Sequence, residues 1–389
     1  MSKNLKILFL THVGNMGGAE AKMMVLAQFL GDDAEVCMFE KGAMQQTLDD
    51  QKIKHSVLEM PAIIRSFKRE DGLVSTIKLL PAFFGFTRTL GKKSKQYDVI
   101  VCMSQKSFVF SALAKIFTRK PIIWFMNDLV TKEHFNPVLI KILVFLAKLS
   151  ANDVVVNSMA SRDAWLAAGG KSENLSILYS GVDVDLFESA IADKARITQL
   201  RDSYIGEGKY LVGTFGRLSE WKGQDVFLRA LANVENAHGL IVGGAQFGED
   251  HYAQHLKDLA KELGVADRVT FTGHMDNIPE LMAACDVIAH CSTLPEPFGR
   301  VIVEAMLAKT PVIASKAGGP EEIILHDKTG YLYPLGDAKE LSTFIQSCLS
   351  HKVEDREVLV RNAYQRAVEH FSSKGLVAKF GEILDKRIS

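Results

Sequence analysis

The sequence predicts an α/β protein built from two doubly wound domains facing across a cleft. Three observations carry that expectation. A chain of 389 residues exceeds what one core of about 150 residues organises. Short β-branched runs recur at the spacing of βαβ units, with helix-length segments between them. The runs also fall into two series, separated by a Gly- and Asp-punctuated segment without strand character. An apolar fraction of 47% with 24% charge argues against disorder and low complexity.

The first series comprises 6–10, 35–39, 56–60, 98–103, 121–126, 153–157 and 176–179. These runs are mostly apolar without a period-2 alternation, as parallel strands covered by helices on both faces are. The second series comprises 209–215, 239–242, 268–272, 286–290, 311–315 and 330–333. Between them, Ser180-Gly181-Val182-Asp183-Val184-Asp185-Leu186-Phe187 places the hinge, giving domains of 1–185 and 186–372. Two helical patterns follow, and the final one, about 373–389, is expected to pack back on the first domain. Ligands of such sheets bind beyond the carboxyl ends of the strands, so the candidate chemistry lies in those loops.

The 46 basic and 46 acidic residues cancel, leaving no global cationic field, and no nucleic-acid partner is expected. The halves differ: residues 1–180 carry 23 Lys/Arg against 16 Asp/Glu, a net of +7 that the remainder balances with −7. The basic half suits an anionic surface. Cys37, Cys102, Cys285, Cys291 and Cys348 form no C-x-x-C and sit mostly in apolar runs, the pattern of buried thiols in a reducing compartment. The apolar run at 7–10 reads as a strand rather than a signal peptide. The longest apolar stretch, 138–149, is interrupted by Lys141 and Lys148 and falls short of the roughly 20 residues a membrane span needs. A cytoplasmic protein is expected, soluble or peripheral on the inner face of a membrane.

The loop after the first strand carries Gly17 and Gly18 at a helix start, where free backbone N–H groups approach phosphate or the glycines make only a tight turn. It is not G-x-G-x-x-G, although Glu40 after the second strand keeps a dinucleotide reading open. The strand at 209–215 opens into Gly216-Arg217-Leu218-Ser219-Glu220-Trp221-Lys222-Gly223. An Arg and a Lys at one strand end suit a diphosphate: the guanidinium forks onto two oxygens and the ammonium adds a point charge. A solvated basic loop is the plain alternative. Glu296 and Glu304 stand eight apart across Pro297-Phe298-Gly299-Arg300 and the first helical turns, so both carboxylates can border one crevice. Carboxylates repel a diphosphate, so they address neutral hydroxyls at its two ends, with the Phe298, Gly299 and Arg300 amides receiving the anion between them. Otherwise Glu296 is an exposed loop residue and Arg300/Glu304 an i,i+4 pair worth a few tenths of a kcal/mol. Gly318-Gly319-Pro320-Glu321 makes a second glycine turn, either a close approach of backbone to a ligand or only a tight turn, and His274-Met275 ends another strand, where backbone amides suit a nucleobase edge or the His is an ordinary loop residue.

Gly216-Arg217 with Lys222-Gly223, the E-x7-E stretch, Ser180-Gly181-Val182-Asp183 and Gly318-Gly319-Pro320-Glu321 together resemble glycosyltransferase family 4. The resemblance covers most of the chain and is weakest from about 40 to 175. It implies a GT-B fold of two Rossmann-like domains and retaining transfer of a hexose from a nucleotide-diphosphate sugar, with no bound metal and no tightly bound cofactor. By that resemblance Arg217 and Lys222 neutralise the leaving diphosphate, Glu296 binds the hexose hydroxyls, and Glu304 the ribose. Gly17, Gly18, Gly216, His274, Met275 and the Phe298–Arg300 amides border the donor. Preorganised positive charge is worth most as the bond to phosphate breaks, and the family's acceptor attacks from the leaving-group face. A UDP-sugar, UDP-glucose first, is favoured by family frequency. One departure stands out: where the family often carries His-Asp near the donor sugar, this chain has Asn127-Asp128, and Asn cannot act as a base.

The acceptor, a glycan or a lipid-linked one, is expected on the first domain. Arg65, Lys68, Arg69, Lys78, Arg88, Lys92, Lys93 and Lys95 face only Glu70 and Asp71 there, around Pro81-Ala82-Phe83-Phe84-Gly85-Phe86. Basic residues beside aromatics suit an anionic membrane, where each cation adds about 1 kcal/mol; two core-facing helices are the alternative. Against the transferase stand a GT-B epimerase, a non-catalytic nucleotide-sugar sensor or subunit and, more distantly, a nicotinamide-dependent dehydrogenase.

Overall fold

The structure, a computed structural model, describes residues 5–65, 73–205, 210–245 and 249–388. Of the residues singled out above, Lys68, Arg69, Glu70, Asp71, Lys209 and the side chain of Lys78 lie outside those described. The chain forms two compact units, Met1–Ser180 with Leu376–Ser389, and Gly181–Gly375.

The first unit runs β1 (Ile7–Thr11), α1 (Gly18–Leu30), β2 (Ala34–Met38), α2 (Met44–Asp50), β3 (His55–Val57), α3 (Ala62–Arg65), α4 (Leu73–Ser94), β4 (Val99–Cys102), α5 (Gln105–Thr118), β5 (Ile122–Met126), α6 (Pro137–Ser150), β6 (Asp153–Val156), α7 (Met159–Ala167) and β7 (Leu175–Ile177). Among the described residues its seven strands are all parallel, in the order β3-β2-β1-β4-β5-β6-β7. Side chains alternate between two cores, which explains the mostly apolar runs. Leu8, Leu10, Ile100 and Trp124 meet Phe86, Phe108 and Leu143 of α4, α5 and α6 on one face. Ile7, Phe9, Val101 and Phe125 meet Met23 and Leu26 of α1 on the other. The last helix of the chain packs on that second face, with Phe380 6.2 Å from Phe9 and 5.8 Å from Phe125 between ring centroids.

The second unit runs α8 (Val184–Ala190), α9 (Lys194–Tyr204), β8 (Tyr210–Phe215), α10 (Gln224–Ala232), β9 (Ala237–Val242), α11 (Asp250–Glu262), β10 (Val269–Gly273), α12 (Ile278–Ala284), β11 (Val287–His290), α13 (Arg300–Leu307), β12 (Val312–Ser315), α14 (Pro320–Ile323), β13 (Tyr331–Tyr333), α15 (Ala338–Ser350) and α16 (Val353–Phe371); α17 (Ser373–Ile388) then belongs largely to the first. The sheet is again parallel, in the order β10-β9-β8-β11-β12-β13. Strand order reverses between β1 and β4 in one unit and between β8 and β11 in the other, which opens a crevice beyond their carboxyl ends. The strands expected at 56–60 and 176–179 shorten to the edge strands β3 and β7, which pair on one side only. The five cysteines are buried and free.

Candidate functional site in the second unit

After β8 the chain passes through Gly216 and Arg217 and closes one tight turn on Gly223, whose φ of 67° lies in the left-handed region open to glycine. A Cβ on Gly223 would stand 1.9 Å from the Cys291 carbonyl oxygen, and the Thr293 amide donates to the Trp221 carbonyl at 2.8 Å. The loops following β8 and β11 therefore run backbone against backbone, bringing Lys222 to Glu296. The ammonium donates to both carboxylate oxygens, at 3.0 and 2.8 Å, and sits 4.0 Å from the centroid of the Trp221 ring. Ser292 Oγ donates to Glu296 Oε2 at 2.7 Å, and His290 Nε2 lies 3.2 Å from the same oxygen.

Glu296 is only 7% exposed, so the exposed-loop alternative does not describe it. Burial pushes its carboxyl up, but the Lys222 charge and the His290 contact outweigh that and hold it well below the usual carboxylate range. Arg217, half-buried, lies 5.9 Å from the Trp221 ring centroid, and its carbonyl accepts from Gln224 Nε2 at 2.9 Å.

The second glycine turn shapes this loop. The Glu296 amide donates to the Ala317 carbonyl at 3.1 Å and the Gly319 amide to the Glu296 carbonyl at 2.9 Å. A Cβ on Gly319 would meet the Phe298 carbonyl oxygen at 2.2 Å. What approaches these glycines closely is thus the Glu296–Phe298 backbone. Phe298 is buried, its ring 5.7 Å from that of Phe371. Gly299, φ 98°, caps α13, and Arg300 Nε donates to Glu304 Oε1 at 2.6 Å, the i,i+4 pair the spacing allows. At the end of β10, His274 is exposed beside Asp276, at 3.5 Å, and Met275 is half-buried.

In the first unit Gly17 caps α1 in an extended conformation and Gly18 opens the helix; neither has positive φ, so the turn does not demand them. The close packing falls to Gly14, where a Cβ would meet the Lys41 carbonyl oxygen at 2.5 Å. Glu40 accepts the Gly14 amide at 3.1 Å and so ties two loops together. Glu20, in the first turn of α1, is buried and accepts from Thr11 Oγ1 at 2.9 Å; burial raises its carboxyl. Asn127 Nδ2 donates to the Met103 carbonyl at 3.0 Å, and its Oδ1 accepts from Lys22 Nζ at 3.3 Å. Asp128 accepts from Gln105 Nε2. Asn offers the donor and acceptor of a neutral imidazole without its titration.

His290, Ser292 and Lys22 were not singled out from the sequence. The signal for the first two is their place at the carboxyl end of β11, and for Lys22 a lone cation in the apolar stripe of α1, 1% exposed. His12 was missed as well: burial and then the Lys106 charge push its imidazole down to about 4, and its Nδ1 is buried without a hydrogen-bond partner.

Two parallel doubly wound sheets, with a cation–carboxylate cluster beyond the strand ends of the second, define the GT-B class. The chain belongs to the family described as glycosyl transferases group 1, whose model matches residues 196–366. Anabaena Alr3699/HepE, solved with UDP and glucose, is 35% identical with a TM-score of 0.88, over 98% of this chain and 99% of that one. Its complex with UDP-glucose gives 34% and 0.89, over 98% and 100%. The GDP-mannose-dependent alpha-(1-6)-phosphatidylinositol monomannoside mannosyltransferase of Mycobacterium tuberculosis is 38% identical over 186 residues, 44% of this chain and 46% of that protein. The chain thus spans about half the length of the curated relatives it matches. Among the described residues no helix is long and apolar enough to cross a membrane.

Proposed function

We propose that the chain is a retaining glycosyltransferase that moves a hexose from a nucleotide-diphosphate sugar, UDP-glucose first, to a glycan or lipid-linked acceptor. The observation that carries this reading is the buried Lys222–Glu296 pair beside Arg217 at the strand-order reversal of the second unit. The two cations take the diphosphate and the charge that develops on it as the glycosidic bond breaks, the part a divalent metal plays elsewhere. Glu296, kept ionised chiefly by the Lys222 charge and oriented by Ser292 and His290, accepts from hexose hydroxyls, and Glu304 from the ribose. Gly216 and the backbone of His274, Met275 and Phe298–Arg300 border the nucleotide. The similarity to HepE extends over nearly the whole chain and the mannosyltransferase similarity over less than half, which favours UDP-glucose over GDP-mannose.

Asn127 supports a second reading, a non-catalytic nucleotide-sugar binder. Calorimetric titration with UDP-glucose, GDP-mannose and NAD, with donor turnover assayed in the same samples, separates the two. Binding of one nucleotide sugar with hydrolysis or transfer supports the enzyme. Binding without turnover, candidate acceptors included, supports the sensor, and no sugar-nucleotide binding defeats both.

A further inference from the structure

Helix α6 is apolar on two opposite stripes, yet at 14 residues it is too short to span a bilayer. Its inner stripe, Ile140, Leu143, Val144 and Ala147, is buried against the sheet. The opposite stripe, Val138, Ile142, Phe145 and Leu149, recurs at i, i+4, i+7 and i+11 and faces solvent. The neighbouring helices extend this outer surface: α4 presents Phe84 and α5 Ile116, and a groove of about 560 Å³ runs among the three helices. Phe84 is 58% exposed, Ile116 74%, Phe145 62% and Leu149 68%. Apolar side chains exposed side by side on three neighbouring helices around a groove mark an interaction surface rather than single scattered residues.

Charge identifies the partner. Together α4, α5 and α6 contain eight Lys/Arg and no Asp or Glu, in a chain that carries 46 acidic residues. Lys93 and Lys115 turn inward, onto Glu35 and the Ser150 carbonyl. Arg88, Lys92, Lys141 and Lys148 are exposed, as is Arg119 just past α5. Lys141 and Lys148 flank the outer stripe of α6, and Arg88 and Lys92 continue the Leu80–Phe84 row along α4. A second copy of the chain would set these cations against their own images across an isologous contact. A lipid surface takes apolar side chains into its acyl boundary and cations at its anionic headgroups.

We infer that the outer face of α4, α5 and α6 docks on an anionic bilayer, with the α6 stripe inserted and the lysines and arginines at headgroup level. It rests on the transferase reading only for its consequence, that a lipid-linked acceptor is met at this face. Flotation reads no sugar chemistry and donor calorimetry reads no membrane, so either inference can fail alone.

The test is flotation of the full chain with phosphatidylcholine vesicles with and without phosphatidylglycerol, at about 0.1 M and about 1 M salt, where charges act over roughly 10 and 3 Å. Binding is expected to the anionic vesicles, weakened by salt. Ile142→Ser/Phe145→Ser/Leu149→Ser should lower it about tenfold or more at low salt, and Lys141→Gln/Lys148→Gln roughly thirtyfold, with thermal melts unchanged because these side chains are exposed. Failure of the wild type to float with anionic vesicles at low salt overturns the inference, as does equal flotation of the apolar variant. So does a dimer that the apolar variant dissociates in sedimentation velocity while flotation stays the same.

Discussion

Replacing Lys222 with Met should destabilise the second unit and weaken donor binding together. The substitution leaves the Glu296 carboxylate at 7% exposure with Ser292 and His290 still against it, at 2.7 and 3.2 Å. Removing one partner of a buried ion pair costs about 3–5 kcal/mol, and the two surviving contacts place this case near the lower end. For a unit of roughly 200 residues, about 3 kcal/mol lowers the midpoint of its thermal transition by about 6–12 °C. Glu296→Gln removes the stranded charge, so the double variant should recover most of the loss, with a coupling energy of about 2–3 kcal/mol. Scanning calorimetry of the four proteins closes the cycle. On the binding side, loss of a charged hydrogen bond worth about 1.5–3 kcal/mol should weaken UDP by about 10- to 150-fold in Lys222→Met. Glu296→Gln frees the ammonium, so UDP should bind as well or more tightly while turnover falls. A Lys222→Met midpoint within about 1 °C of the wild type, or strict additivity in the cycle, would refute the reasoning.

Glu304→Ala should reduce donor affinity at least tenfold, read by calorimetry, while stability changes by only a few tenths of a kcal/mol, because its i,i+4 pair with Arg300 is partly exposed. Gly319→Ala sets a Cβ 2.2 Å from the Phe298 carbonyl oxygen; the loop must shift, and a loss of about 1–3 kcal/mol in urea denaturation should accompany lower turnover. In the first unit Glu35 is buried; burial raises its carboxyl, but bonds from Lys93, Tyr97 and Ser56 bring it down to about 2. Because the folded carboxyl titrates lower than the unfolded one, near 4.5, its contribution is full above that pH and is lost as pH falls towards 2. Glu35→Gln should cost about 3 kcal/mol at neutral pH, and its gap to the wild type in denaturant titrations should close progressively below pH 4.5.

Much of the architecture was legible along the chain because a parallel strand covered on both faces is mostly apolar without a period-2 alternation. The runs at 6–10 and 121–126 announce β1 and β5 for that reason. Arg217 and Lys222 were readable as well, since glycines punctuate the loop that holds them. Two stretches remained ambiguous, 65–95 and 138–149, each reading equally as core or membrane-facing; the second is α6, core on one stripe and exposed on the other.

Sequence by itself determined the alternation of strands and helices, the two series and the residue types waiting at the strand ends, all local consequences of periodicity and turn chemistry. Tertiary structure alone decided the partnerships. Lys222 and Glu296 are 74 positions apart and meet because β8 and β11 pair side by side; Lys22 reaches Asn127 across 105. The glycines at 318 and 319 matter for the backbone they lie against, which no local pattern reveals. Contacts of this kind depend on which strands neighbour one another in the sheet, and the order β10-β9-β8-β11-β12-β13 is a property of the whole packed unit rather than of any segment in it.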